Sequence, residues 1–191
     1  MDNLLDLKSV LKSSYKTKEE ADKYFESKGY FRDKEISNIQ QRLYNNPETN
    51  KNIAVIRGTH NLINDIPADI DLLFGLNYFG NRLNESKQFY EKIKNKYKEN
   101  DLTIVGHSLG GFLSSEISKN KNDKIISYNK GSGIFEPLQE KSKPNEKHYR
   151  TINDIVSLTS AFKSNTKNLN NYDINLFNTH STNQLKSNIF I

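Results

Sequence analysis

The sequence predicts an α/β domain in which a mostly parallel central sheet is flanked by helices and preceded by an N-terminal helical segment. Three observations carry this expectation. The runs Ile53-Ala54-Val55-Ile56, Leu102-Thr103-Ile104-Val105 and Lys124-Ile125-Ile126-Ser127-Tyr128 are short and mainly apolar or β-branched, as strands covered on both faces are. Segments of helical spacing alternate with them and supply the crossovers that parallel strands need. Finally, Gly106-His107-Ser108-Leu109-Gly110-Gly111 stands between one such strand and a helical pattern, the setting of a sharp strand-to-helix turn.

Taken in order, Leu4, Leu7, Val10 and Leu11 share one helical face, and Thr17 with Glu20 forms a capping box for a second helix running through Tyr24 and Phe25 to Lys28, ended by Gly29. Asp33 then caps an expected third helix with Ile36, Ile39, Leu43 and Tyr44 on one side, stopped by Asn45-Asn46-Pro47. These helices are expected to pack on an outer face of the core. The strand at residues 53–56 ends in Arg57-Gly58-Thr59, and an apolar stretch from Leu62 to Phe79 follows. That stretch serves either as a substrate-groove wall, through Leu62, Ile63, Ile66 and Phe74, or as plain core. Phe89, Tyr90, Ile93 and Tyr97 mark the crossover helix of residues 84–97, and Leu109, Phe112, Leu113 and Ile117 mark the helix after Ser108. Lys124 to Tyr128 and His148 to Ile152 are the next strands, separated by a Gly/Pro-punctuated loop. Beyond Lys163 the chain is Asn-rich and is expected to be mostly loop.

Length and composition bound the function. At 191 residues the chain suits a single domain, with residues 1–50 as the N-terminal packing segment and 51–191 as the core. Its mean hydropathy of -0.81 reflects a Lys- and Asn-rich surface, since the apolar residues still cluster into periodic segments. The net charge of +5 is spread over lysines among acids, with no basic run interleaved with aromatics, so nucleic acid is not an expected partner. Without cysteine there are no disulfides, thiolate metal sites or cysteine nucleophile. The start Met1-Asp2-Asn3-Leu4-Leu5-Asp6-Leu7 has acids where a signal peptide has bases, and no segment reaches membrane-spanning length. A cytoplasmic or virion-associated protein is expected. Asp69 and Asp71 are spaced for a metal pair but lack companions, so neither a metal nor an organic cofactor is expected.

The turn nominates Ser108 as a nucleophile, with Gly106, His107 and Gly110 shaping it, because side chains at the flanking glycines would clash where the backbone doubles back. A serine hydroxyl needs a base, and in this setting the acid and then the histidine follow the serine in the chain. Two histidines do so. His148 sits within a strand and reads as an edge or surface residue, whereas His180, in the polar loop Asn178-Thr179-His180-Ser181, has the position of a base reaching back to the sheet. Asp154 follows a strand at the sheet's carboxyl edge and is the leading acid; Asp123 and Asp173 read as solvated turn residues. The Leu109 N–H and Thr59 are the expected oxyanion donors, and His107 is expected to support packing.

Ile53-Ala54-Val55-Ile56-Arg57-Gly58-Thr59, Val105-Gly106-His107-Ser108-Leu109-Gly110-Gly111 and Tyr149-Arg150-Thr151-Ile152-Asn153-Asp154-Ile155-Val156 together resemble the class 3 (fungal-type) lipases of the α/β-hydrolase superfamily. The resemblance implies an α/β-hydrolase-like fold and a Ser108-Asp154-His180 triad that hydrolyses carboxylic esters of lipids through an acyl-enzyme, without a cofactor. It implies a lipid or small ester as substrate and peripheral contact with a membrane or lipid surface. A thioesterase or peptidase with the same triad, or a noncatalytic lipid- or protein-binding member of the fold, are the alternatives.

Overall fold

The computed structural model of the protein describes residues 4–59, 76–131, 143–152, 165–169, 181–185 and 189–191. Seven strands form one mixed sheet in sequential order: β1 (Phe31–Arg32), β2 (Gln41–Asn46), β3 (Lys51–Ile56), β4 (Asp101–His107), β5 (Lys124–Tyr128), β6 (Glu146–Thr151) and β7 (Thr166–Leu169). β1, β2 and β3 pair antiparallel, and β3 through β7 pair parallel. The helices are α1 (Leu7–Ser13), α2 (Lys18–Glu26), α3 (Leu76–Lys96) and α4 (Leu109–Ile117), with a short 3₁₀ turn at Thr182–Gln184. The expected fold class is therefore present, a mostly parallel sheet between helices with helices at the N-terminal end.

Parallel strands added one after another by right-handed connections send their crossover helices to the same face. The core divides accordingly. Ala54, Ile56, Leu102 and Ile104 point to α3 and α4 and pack with Phe89, Ile93, Leu109 and Leu113. Their strand neighbours Ile53, Val55 and Val105 point the other way, with Tyr128 and Tyr149, and are covered by α1 and α2 through Leu7, Val10, Leu11 and Phe25, with Leu185 from the C-terminal stretch. The N-terminal helices thus complete the second face of the sheet. Leu5 to Leu7 also pairs with Ile189 to Ile191 by backbone hydrogen bonds of 2.8 to 3.4 Å.

The capping box is formed as expected, with Thr17 Oγ1 accepting from Glu20 N at 3.3 Å and Glu20 Oε2 accepting from Thr17 N at 3.1 Å. The helix expected around Ile36 to Tyr44 is instead the edge of the sheet. Leu43 and Tyr44 point to opposite faces of it, which only a period of two permits. The pattern was obscured by buried polar residues whose partners are remote: Gln41 donates to Ser86 Oγ at 2.7 Å, and Arg42 donates to the carbonyls of Ser13 at 2.8 Å and Lys16 at 2.9 Å at the end of α1. Asp33 caps no helix; its carboxylate accepts from Glu35 and Ile36 N–H in a turn and from the Tyr97 hydroxyl at 2.8 Å. Two further differences are the earlier start of α3, at Leu76, and β7 within the stretch expected to be loop. β7 shows no apolar alternation, with Lys167 and Asn168 exposed between half-buried Thr166 and Leu169, and it is marked by its pairing to β6.

Candidate active site

Ser108 is the residue at which β4 turns into α4, and its backbone sits at φ 56° and ψ -127°, a conformation that suits glycine far better than serine. Neighbouring glycines make this turn sterically possible. A Cβ on Gly106 would run into the Gly110 carbonyl and stand 2.6 Å from Gly111 N, and one on Gly110 would strike the Ile56 carbonyl and lie 3.0 Å from Arg57 C. All of these obstacles are backbone, which cannot swing aside. Gly110→Ala is therefore expected to cost about 3 kcal/mol through overpacking, read as a lowered denaturant midpoint, together with loss of Ser108 reactivity as the turn opens.

The hydroxyl oxygen of a serine at a helix N-cap ordinarily accepts from a first-turn N–H. Ser108 does not: it makes no side-chain capping bond, is 1% exposed, and among the described residues its Oγ has no hydrogen-bond partner. Its backbone is by contrast well held, with Ser108 N donating to Tyr128 O at 3.2 Å and Ser108 O accepting from Gly111 N at 2.9 Å and Gly131 N at 3.0 Å. Leu109, the first helical residue, has no intrahelical acceptor for its N–H, which lies at the positive end of α4.

The Arg57-Gly58-Thr59 turn lies directly against Ser108. A Cβ on Gly58 would be 2.6 Å from His107 O and 3.3 Å from Ser108 Cβ. Thr59 Oγ1, next along the chain, is buried and, like Ser108 Oγ, has no hydrogen-bond partner among the described residues. Two hydroxyls without a described partner thus stand at adjoining turns. The turn is braced from behind: Arg82, buried on α3, donates to Arg57 O at 2.7 Å, and the Arg57 guanidinium lies 5.3 Å from the Tyr15 ring centroid. Tyr15, just beyond α1, places its hydroxyl 3.0 Å from His107 Nδ1. Burial pushes the Tyr15 phenol up to about 12, against the opposing pull of the Gly58 N–H and the Arg57 and Arg82 charges, so Tyr15 stays protonated at neutral pH. His107 also stacks on Tyr128, at 5.7 Å between centroids.

His148 is corrected by the structure. It is no edge or surface residue but 1% exposed in β6, between β5 and β7. Its Nδ1 meets Ser127 Oγ at 2.5 Å and its Nε2 meets Glu146 Oε2 at 3.2 Å. With Nε2–H donated to the carboxylate, Nδ1 accepts from Ser127, so both ring nitrogens are engaged away from Ser108. Burial pushes the Glu146 carboxyl up, but the His148 hydrogen bond and the Lys130 and Lys143 charges outweigh it and leave Glu146 below the ordinary glutamate value. A depressed carboxyl stabilises the fold above its unfolded-state pKa and loses that contribution as pH falls through the folded one. Thermal stability is accordingly expected to drop below about pH 4, and Glu146→Gln to flatten that drop. Asp123 is also corrected: rather than a solvated turn residue it is 1% exposed and accepts from the Tyr90 hydroxyl at 2.7 Å and from Lys94 at 3.1 Å.

Asp154, Asp173 and His180 lie outside the described residues, as do Leu62, Ile63, Ile66, Asp69, Asp71 and Phe74. Their flanks are described. Thr151, which ends β6, and Ile152 after it lie at the same end of the sheet as Ser108, and Ser181, next to His180, has its carbonyl 3.5 Å from the Tyr128 hydroxyl. Sequence reasoning missed Tyr15, Arg82, Tyr128 and the Ser127–His148–Glu146 chain. Only a polar residue inside an apolar segment hinted at any of them. Among the described residues, no side-chain group is disposed to hold a metal ion and no helix is long and apolar enough to cross a membrane.

No protein-family model matches the chain, and no curated protein matches it in sequence. Solved structures do resemble it. A mutant form of MDLA from Penicillium cyclopium is 14% identical with a TM-score of 0.50, over 95% of this chain and 81% of that one. Lip2 lipase from Yarrowia lipolytica is 17% identical with a TM-score of 0.41, over 62% of this chain and 56% of its own length, so this chain spans little more than half of Lip2. The fold is that of the α/β-hydrolases.

Proposed function

We propose that the chain is a serine ester hydrolase, lipase- or phospholipase-like and of the class 3 type, that cleaves carboxylic ester bonds of lipids through an acyl-enzyme on Ser108. One observation carries this reading: Ser108 is held at positive φ on a strand-to-helix turn with a buried hydroxyl that, among the described residues, no group engages. A strained backbone and an unsatisfied hydroxyl at the same residue are costs that a purely structural serine has no reason to bear.

In the proposed reaction His180 Nε2 takes the Ser108 proton as Oγ attacks the ester carbonyl carbon, and Asp154 holds the imidazole and stabilises its positive charge. The negative charge that develops on the carbonyl oxygen is received by the Leu109 N–H and by Thr59, at the positive end of α4. Collapse expels the alcohol, which leaves with the proton from His180. Water then attacks the acyl-serine carbonyl, giving up a proton to His180, and collapse breaks the bond to Ser108 Oγ, which takes that proton back from His180 as the acid is released. The engagement of His148 by Ser127 and Glu146 supports His180 as the base.

A fluorophosphonate probe followed by peptide mass spectrometry tests the reading, with a single adduct on Ser108 as the expected result. Incubation with a mixed lipid extract is expected to release free fatty acids. An intact serine in the presence of probe, with no acid released, would instead favour a noncatalytic binding protein on the same fold. Release only from thioesters or peptides would keep the triad and move the substrate class.

A further inference from the structure

We infer that the Tyr128 hydroxyl is a positioning group that holds the acid- and base-bearing segments in register with the Ser108 turn; this rests on the proposed Ser108-Asp154-His180 chemistry and deepens it. Tyr128 is the last residue of β5 and is fully buried. Its backbone carbonyl accepts from Ser108 N at 3.2 Å, and its ring stacks on His107 at 24°. A phenylalanine would make both contacts equally well, so they do not account for the hydroxyl.

The hydroxyl has its own partners. It lies 2.7 Å from Thr151 Oγ1 and donates to Ser181 O at 3.5 Å. With the tyrosine proton directed at the Ser181 carbonyl, the phenol oxygen accepts from Thr151, giving one continuous chain Thr151→Tyr128→Ser181 with each group in a consistent role. Thr151 closes β6 three residues before Asp154, and Ser181 directly follows His180. One buried oxygen therefore ties the strand beside Ser108 to both segments on which the other triad members ride.

Those segments are unequally secured without it. The end of β6 has a second brace, because Asn129 Oδ1 accepts from Thr151 N at 2.8 Å. The stretch from Ser181 is anchored further along, by Leu185 in the core beside α1 and by Ile189 to Ile191 paired with Leu5 to Leu7. At its His180 end the Tyr128 hydroxyl is the described side chain that reaches it from the sheet. A general base displaced by about 1 Å can lose about 100-fold in rate, so a contact one residue from the imidazole bears directly on turnover.

Tyr128→Phe is the test, with Thr151→Val and Thr151→Ser beside it, measured on a soluble ester. Tyr128→Phe is expected to remain folded and to lose about 10- to 100-fold in kcat, with KM unchanged and fluorophosphonate labelling of Ser108 slowed in parallel. Thr151→Val is expected to follow it, and Thr151→Ser, which keeps the hydroxyl, to retain wild-type turnover. Hydrogen exchange at the Gln184 and Leu185 amides, which bond to Ser181 O and Thr182 O, is expected to quicken in Tyr128→Phe. An unchanged kcat in Tyr128→Phe, or a loss in Thr151→Ser equal to that in Thr151→Val, overturns the inference while Ser108-dependent hydrolysis by the wild type stands. A wild type that neither labels at Ser108 nor hydrolyses esters overturns the ester-hydrolase reading, and this inference with it.

Discussion

Ser108→Ala is expected to lower ester hydrolysis by about 10⁴-fold or more and to abolish fluorophosphonate labelling, while leaving the fold as stable as before. The two halves of that expectation have separate physical grounds. Activity is lost because the proposed acyl-enzyme forms on the Ser108 hydroxyl itself. Stability is kept because Ser108 Oγ bonds to no group among the described residues, so its removal strands no described donor or acceptor. Ser108→Gly sharpens the contrast. Glycine accepts φ 56° and ψ -127° without a Cβ clash, and relief of that strain is expected to raise stability by about 1 kcal/mol. Thermal melting and hydrolysis of the three proteins read both effects together. Hydrolysis by Ser108→Ala at the wild-type rate would refute the acyl-enzyme mechanism, and a marked fall in its melting temperature would show that the hydroxyl is structural after all.

His180→Ala and His148→Ala are expected to fail in opposite ways. Loss of His180 removes the proposed base and is expected to reduce turnover by about 10⁴-fold, with little change in melting temperature. Loss of His148 leaves the Glu146 carboxylate and the Ser127 hydroxyl buried without their shared partner, a defect expected to cost about 3 kcal/mol. Protein that remains folded at low temperature is expected to label at Ser108 nearly as fast as wild type. An inactive but stable His148→Ala, paired with an active His180→Ala, would move the base to His148. Such a result would require the His148 ring to leave both its partners, since neither nitrogen is available to Ser108 as it stands.

How far the site was legible in the sequence depends on the range of the interactions that define each part. The Ser108 turn was legible because its constraints are local: a strand, two glycines whose Cβ atoms would strike backbone, and a helix directly after. The capping box at Thr17 was legible for the same reason. Leu43 and Tyr44 were misread as one helical face because Gln41 and Arg42, which break the alternation, are buried by bonds to Ser86, Ser13 and Lys16 far away in the chain. His148 was misread because its partner Ser127 comes from the neighbouring strand, and a lone polar residue in a strand looks exposed until register supplies that partner.

Local chemistry along the chain thus determined the alternation of strands and helices, the candidate nucleophile and the turn that presents it, because backbone sterics and apolar periodicity act within a few residues. Tertiary structure alone decided that α1 and α2 cover the second face of the sheet, that Tyr15 and Arg82 brace the Arg57-Gly58-Thr59 turn, and that His148 is spent on Glu146 and Ser127. Each of these depends on which strand lies beside which and where a buried polar group finds its partner. Apart from Glu146 and His148, which share a strand, such pairings join residues far apart in the chain, and they are settled only when burial brings most polar groups to a partner within the fold.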